Sequence, residues 1–103
     1  MCGRFTTTID LEEIARYFKI TAVEGDYFPL YNAAPSMEIP VVLGSPERRL
    51  AFFRWGLVPS WSKGPETGSA PINARAETLT EKPSFRQAYQ QRRCLITADS
   101  FFE

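Results

Sequence analysis

Two apolar segments with a polar turn between them constrain the fold of this chain most strongly. Residues 39–43 (IPVVL) and 50–58 (LAFFRWGLV) are rich in β-branched and aromatic side chains, which favour strands. The residues between them, GSPERR (44–49), combine Gly and Pro with charged side chains, as turns do. This pattern predicts a β-hairpin whose second strand carries Trp55 as a core residue.

The stretch DLEEIARYF (10–18) predicts a helix. Its apolar side chains recur at helical spacing along one face, namely at Leu11, Ile14, Ala15 and Phe18. Asp10 as the N-cap and Glu13 further along have the spacing of a capping box. We expect this helix to serve as scaffold.

Further along, a long loop precedes a second predicted helix. The loop PSWSKGPETGSAP (59–71) is rich in Pro and Gly, and loops of this length are more often functional than idle. The helix is predicted over 84–93 (SFRQAYQQRR), where Ser84 and Gln87 have capping-box spacing. The segment CLITADSFFE (94–103) then predicts a buried strand and a turn.

Length and composition favour one globular domain over residues 1–103. The 103 residues are 44% hydrophobic and 14% aromatic, which is enough to fill a core and argues against disorder. No apolar run approaches the roughly 20 residues that a membrane span needs, and the N-terminus lacks the layout of a signal peptide. We therefore expect a cytoplasmic protein with no membrane partner.

The charges balance overall but not along the chain. With 12 cations and 12 acids, the formal net charge of zero argues against a strongly basic nucleic-acid binder. Residues 1–47, however, hold three cations and seven acids, whereas residues 48–103 hold nine cations and five acids. Most of the cations are arginine, whose planar guanidinium suits bidentate phosphate contacts. A local basic face and an ordinary solvated surface both remain open.

Cys2 is the residue with the most reactive chemistry. If Met1 is removed, Cys2 becomes the N-terminal residue and carries a free α-amine beside its thiol. The amine can attack an aldehyde to form a Schiff base, on which the thiol can close as a five-membered thiazolidine. Alternatively, the thiol can attack a carbonyl with the amine as base, as N-terminal nucleophile hydrolases do. The residues alone leave both reactions open.

Histidine is absent, which removes the commonest metal ligand and the commonest general base. Cys2 and Cys94 are too few and too far apart for a disulfide framework or a metal motif. We therefore expect no metal and no cofactor. Glu103, which follows Phe101 and Phe102, is a candidate acid or base because apolar surroundings raise the pKa of a carboxyl group.

Three further residues are candidates for binding. In PINARAET (71–78) an extended backbone would set Asn73 and Arg75 on one face, offering an amide and a phosphate fork. The alternative is a turn Asn and a surface ion pair between Arg75 and Glu77. Trp61, on the Pro/Gly loop, is suited to stacking on unpaired bases.

Five motifs in order resemble those of one family. They are MCGRF (1–5), YNAAPS (31–36), WGLVPSW (55–61), INARAET (72–78) and RRCLITADSFFE (92–103). Together they resemble the signature of the SRAP family, the SOS-response-associated peptidases, which are also described as abasic-site processing proteins. The resemblance extends over the whole chain.

This resemblance implies both a fold and an activity. The fold would be α+β, with a curved, barrel-like, mixed or antiparallel sheet flanked by helices, and the chain would be the N-terminal half of a single SRAP domain. Such proteins recognise abasic sites in single-stranded DNA, and their N-terminal cysteine traps the sugar aldehyde as a thiazolidine DNA–protein crosslink. The implied partner is single-stranded DNA containing abasic sites, bound by a monomer.

The resemblance also implies roles for individual residues. Cys2 would be the nucleophile, Asn73 would position the sugar or the N-terminal residue, and Glu103 would shuttle protons. The residues expected to bind DNA are Arg4, Asn32, Trp61 and Arg75. An N-terminal-cysteine peptidase and a non-covalent single-strand binder are the alternative functions.

The sequence departs from the family pattern in two places. The family has a later catalytic histidine, which is absent from these residues, so we expect sugar ring opening and crosslink reversal to be impaired. The family turn Pro-Ala-Asp-Gly is replaced by TADS (97–100). Ser100 in place of Gly predicts strain if the backbone there needs a positive φ.

Overall fold

The computed structural model describes residues 2–44, 46–58, 61 and 71–102. The elements are, in chain order, β1 (Phe5–Thr7), α1 (Leu11–Phe18), β2 (Ala22–Val23), β3 (Leu30–Ala33), β4 (Glu38–Leu43), β5 (Arg49–Arg54), a 3-10 turn (Ala76–Thr78), α2 (Pro83–Gln91), β6 (Leu95–Ile96) and β7 (Ser100–Phe101). The chain divides into two compact units, Met1–Trp55 with Cys94–Glu103, and Gly56–Arg93. The expected single domain stays a prediction.

The first unit contains two sheets. One has three strands in the order β3-β1-β7, with antiparallel pairing throughout. The other has four strands in the order β2-β5-β4-β6, in which β2 runs parallel to β5 and the other pairs are antiparallel. Within the described residues neither sheet closes on itself. The predicted α+β class with mixed and antiparallel pairing is confirmed.

The predicted hairpin forms between β4 and β5. Its second strand ends at Arg54 rather than at residue 58. The amide of Trp55 still donates to the carbonyl of Met37 over 2.9 Å, and Gly56 then adopts a φ of 132°, which ends the extended run. As predicted, Trp55 packs on the core, with its ring centroid 5.4 Å from that of Phe5.

The core lies on both faces of β4. Val41 belongs to one buried cluster, together with Phe5, Ala33, Ile39 and Ala51. Val42, the next residue, belongs to a second cluster with Ile14 and Leu50. Because successive strand residues point to opposite faces, a strand that is buried on both faces has a continuous apolar sequence. This accounts for the run IPVVL.

Helix α1 confirms the predicted stripe. Ile14 is buried, and Leu11 and Phe18 pack beside the second cluster. Asp10 precedes the helix with extended backbone, but its side chain makes no capping hydrogen bond, so the predicted capping box is wrong. The helix ends at Phe18, and the next residue, Lys19, caps it with a left-handed φ of 56°.

Helix α2, in the second unit, begins and ends earlier than predicted. It covers Pro83–Gln91, and Lys82 precedes it as the N-cap. Proline favours the first helical position because its fixed φ suits the helix and its missing amide would have no partner there. Ser84 therefore lies inside the helix, and the predicted capping box at Ser84 is wrong.

The strand after Arg93 also differs from the prediction. Leu95 and Ile96 in β6 are 58% and 52% exposed, so the expected buried strand is wrong. β6 is the edge strand of its sheet and pairs only with β4, which leaves its side chains uncovered among the described residues. Ser100 lies in β7 without a positive φ, so the expected strain does not arise.

Candidate functional site

Cys2 lies immediately before β1 and is half-buried. It packs against the cluster that contains Phe5, and its Sγ is 3.7 Å from the carbonyl oxygen of Arg4. Neither Cys2 nor Cys94 is in a disulfide. Because β1 is the central strand of its sheet, the backbone that leads from Cys2 is held from both sides.

β3 pairs with one edge of β1 and contains Asn32. Phe5 pairs with Ala33 in the antiparallel register. The guanidinium of Arg4 donates a hydrogen bond from Nη1 to Oδ1 of Asn32 over 3.3 Å, and both residues are exposed. The motifs MCGRF and YNAAPS are therefore neighbours, and an arginine head beside them faces solvent.

β7 pairs with the other edge of β1. Phe5 pairs with Phe101, and the amide of Phe102 donates to the carbonyl of Arg4 over 3.0 Å. Glu103, the predicted acid or base, lies outside the described residues and follows Phe102 in the chain. The last motif thus runs antiparallel to the first.

Asp99 joins the same two strands through its side chain. Its Oδ2 accepts hydrogen bonds from the amide of Thr8 over 2.6 Å and from the hydroxyl of Thr8 over 2.8 Å. Its Oδ1 accepts one from the hydroxyl of Thr6. These bonds, the one from the Thr6 side chain foremost, lower the pKa of the Asp99 carboxyl below its ordinary value. Sequence reasoning missed this cluster, although a run of three threonines (6–8) was a possible signal.

The second unit carries the other candidates. Asn73 and Arg75 are exposed on a segment without regular structure, and Arg75 has the extended backbone predicted for it, with φ −87° and ψ 130°. The carbonyl of Arg75 accepts a hydrogen bond from the amide of Thr78 over 3.1 Å, which closes the 3-10 turn. The alternative ion pair between Arg75 and Glu77 is not formed. Trp61 is 65% exposed.

The predicted site residues thus fall into three sets. Cys2, Arg4 and Asn32 lie together in the first unit. Trp61, Asn73 and Arg75 belong to the second unit, and Glu103 is not described.

Clefts and metal-binding groups add little to this site. A cleft of about 530 Å³ lies beside α1, lined among others by Ile9, Tyr17 and Thr97, and none of the predicted site residues lines it. Among the residues described, no group of three or more His, Cys, Asp or Glu side chains could hold a metal ion. None of the described helices is long and apolar enough to cross a membrane.

Comparisons with known proteins agree with the motifs. Residues 1–103 match the SRAP family, described as SOS response associated peptidase. The abasic site processing protein YoqW of Bacillus subtilis is 48% identical over 106 residues, covering 100% of this chain and 47% of YoqW. The abasic site processing protein HMCES of Mus musculus is 32% identical over 127 residues, covering 100% of this chain and 36% of HMCES.

A solved structure has the same fold. A protein from Bordetella bronchiseptica superposes with a TM-score of 0.76 at 27% identity, over 99% of this chain and 50% of that chain. The chain spans about half the length of the YoqW sequence and of this structure. Because the family match extends over all the motifs and the whole sequence, the chain belongs to the SRAP family, the SOS response associated peptidases.

Proposed function

We propose that this chain acts at abasic sites in single-stranded DNA and that Cys2, once Met1 has been removed, captures the sugar aldehyde covalently. The names of YoqW and HMCES, both abasic site processing proteins, support the substrate. The observation that carries the proposal is the 3.0 Å hydrogen bond from the amide of Phe102 to the carbonyl of Arg4. It holds the strand that precedes Glu103 beside the strand that follows Cys2.

The proposed reaction joins an amine, a thiol and an aldehyde. The α-amine of Cys2 adds to the C1′ aldehyde of the ring-opened deoxyribose, and the carbinolamine loses its hydroxyl as water to give an imine. The thiol then adds across the C=N bond: sulfur bonds to carbon, the thiol proton passes to nitrogen, and a thiazolidine ring closes. One water leaves in total. Glu103 gives a proton to the departing hydroxyl and regains it from solvent.

The remaining candidates bind the DNA in this proposal. Arg4 and Arg75 contact phosphates through their guanidinium groups, and Asn32 orients the head of Arg4 through the 3.3 Å hydrogen bond. Asn73 positions the sugar. Trp61 stacks on an unpaired base, a contact worth about 1–3 kcal/mol. The protein works as a monomer in the cytoplasm, on DNA.

A crosslinking assay tests the proposal. Protein that lacks Met1 is mixed with a single-stranded oligonucleotide carrying one abasic site, and the intact mass is measured. The expected adduct has the mass of protein plus oligonucleotide minus one water. An oligonucleotide without the abasic site should give no adduct, and failure of the wild-type protein to form one would contradict the proposal.

Two cysteine variants test the contribution of the Cys2 thiol separately from that of the α-amine. Cys94→Ala is the matched control and should crosslink as the wild type does; desolvation raises the pKa of this thiol, which lowers its thiolate fraction. Cys2→Ala keeps an α-amine but has no thiol. It should form an adduct only when borohydride reduces the imine, and a stable adduct without borohydride would contradict ring closure by sulfur.

The family description also names a peptidase, which favours one alternative. If Cys2 is an autoproteolytic nucleophile, the purified protein should release Met1 with no aminopeptidase present. A non-covalent single-strand binder would instead bind DNA with an affinity that falls with salt and that Cys2→Ala leaves unchanged.

A further inference from the structure

The hydroxyls of Thr6 and Ser100, 2.6 Å apart, form one side-chain link between β1 and β7, and the carboxylate of Asp99, the residue before β7, forms a larger one. It accepts hydrogen bonds from the hydroxyl of Thr6 and from both the amide and the hydroxyl of Thr8. The backbone of Asp99 adds a fourth bond, from its amide to the carbonyl of Thr6 over 2.9 Å. All these contacts lie at one end of the short pairing between the two strands.

The strand pairing itself offers few other bonds. β7 consists of Ser100–Phe101 and, among the residues that the structure describes, lies at the edge of its sheet and pairs only with β1. A register slip by one residue would shift β7 by about 3.3 Å and turn each side chain to the opposite face. So short a ladder cannot fix its own register firmly, and side-chain contacts decide it.

We propose that Asp99 is a positioning residue that fixes the register of β7 on β1 and thereby sets the backbone as far as Phe102 against the strand that follows Cys2. The catalytic consequence rests on the function proposed above, whereas the consequence for strand register does not. Asp99 itself touches no reacting atom in this proposal.

The contacts require acceptor atoms on the side chain of residue 99. Asp99 accepts from three donors and donates from none of its side-chain atoms. An asparagine has one acceptor oxygen and an NH₂ group. If its oxygen faces Thr8 and accepts from both Thr8 donors, the NH₂ group can donate to the Thr6 hydroxyl, which can also accept, so asparagine can keep the contacts as neutral bonds. Asp99→Ala removes both acceptor oxygens and is therefore the variant that breaks the contacts.

Crosslinking kinetics provide the first test. For Asp99→Ala we expect the first-order rate of crosslinking at saturating abasic DNA to fall roughly 10- to 100-fold, the scale of a small misplacement of reacting groups. Binding of a tetrahydrofuran abasic analogue, which has no aldehyde, should stay within about 2-fold because the DNA-binding residues are retained. Asp26→Ala, at another exposed carboxylate, is the matched control and should leave both quantities unchanged.

Variants of Thr8 distinguish positioning from a general loss of structure. Thr8→Val removes the hydroxyl donor with little change in shape and should lower the crosslinking rate. Thr8→Ser keeps the hydroxyl and should crosslink at the wild-type rate. Equal rates for Thr8→Val, Thr8→Ser and the wild type would count against the proposal.

Hydrogen exchange tests the register without any reaction. In Asp99→Ala the amide of Phe102 should exchange faster than in the wild type, while the amides of β4 and β5 keep their protection. Unchanged exchange at Phe102 would overturn the proposal. If the wild-type protein forms no adduct, the proposed function fails, and the exchange measurement alone then decides whether Asp99 fixes the register.

Discussion

The amide of Phe102 donates a hydrogen bond to the carbonyl oxygen of Arg4 over 3.0 Å. Through this bond, and through the pairing of Phe5 with Phe101, the first and last motifs of the sequence lie side by side. The strand that follows Cys2 and the strand that precedes Phe102 are thus neighbours, although they are far apart in the sequence.

Replacement of Gly25 should destabilise the fold. Gly25 has a φ of 119°, which side chains rarely tolerate, and a Cβ there would lie 3.0 Å from the ring of Phe52. For Gly25→Ala we expect a loss of at least about 1 kcal/mol in the free energy of unfolding, measured by urea denaturation. The matched control is Gly44→Ala, where a Cβ meets nothing within 4 Å. Equal losses for the two variants would contradict this backbone conformation.

Two leucines test where the core lies. Leu50, on β5, is 0% exposed and packs in the cluster with Val42 of β4 and Ile14 of α1. Leu95, on the edge strand β6, is 58% exposed. Leu50→Ala should lower the free energy of unfolding by about 2–5 kcal/mol because it leaves a cavity. Leu95→Ala should stay within about 0.5 kcal/mol of the wild type. A large loss at Leu95 would show that β6 is covered in solution.

Arg4 should contribute one phosphate contact. Arg4→Gln is expected to weaken binding of single-stranded DNA and to lower the slope of log K against log salt by about 0.7. Fluorescence anisotropy at several salt concentrations measures both quantities. Arg16→Gln, at an exposed arginine on α1, is the control and should leave the slope unchanged. Equal slopes for Arg4→Gln and the wild type would contradict the assignment.

Asp99 should make stability depend on acid pH. Its folded-state pKa lies below the ordinary value of 3.8, chiefly because the Thr6 hydroxyl donates to the carboxylate. A depressed carboxyl pKa contributes stability that is present above that value and lost as the pH falls through the lower folded-state pKa. Asp10, Tyr27 and Tyr31 are further titratable groups of this region, and all three remain in the variant.

Thermal unfolding between pH 7 and pH 2 measures this contribution. The wild type should lose more stability over that range than Asp99→Asn, so that the two curves converge at low pH. Parallel curves would contradict the pKa shift at Asp99.

The sequence predicted those elements whose patterns are local. The run at 39–43 and its partner gave the hairpin because strand periodicity and turn residues act over a few positions. The stripe of Ile14 and its neighbours gave α1 for the same reason. The start of α2 was predicted one residue late because the first helical position suits Pro83 better than Ser84 suits the cap.

Long-range contacts could not be read from the sequence. Leu95 and Ile96 look like core residues, but their exposure depends on which strands lie beside β6. Asp99 looks like a turn residue, and its contacts with Thr6 and Thr8 depend on strand pairing across nearly the whole chain. At the candidate site, residue types could be predicted, but the partner of Arg4 could not.

Peptide mapping of the crosslinked protein tests the central claim most directly. After nuclease and trypsin digestion of the adduct, the sugar remnant should lie on the peptide Cys2-Gly3-Arg4, with the thiol of Cys2 blocked to alkylation. A remnant on a lysine peptide, on Cys94, or on Cys2 with its thiol still open to alkylation would contradict capture as a thiazolidine.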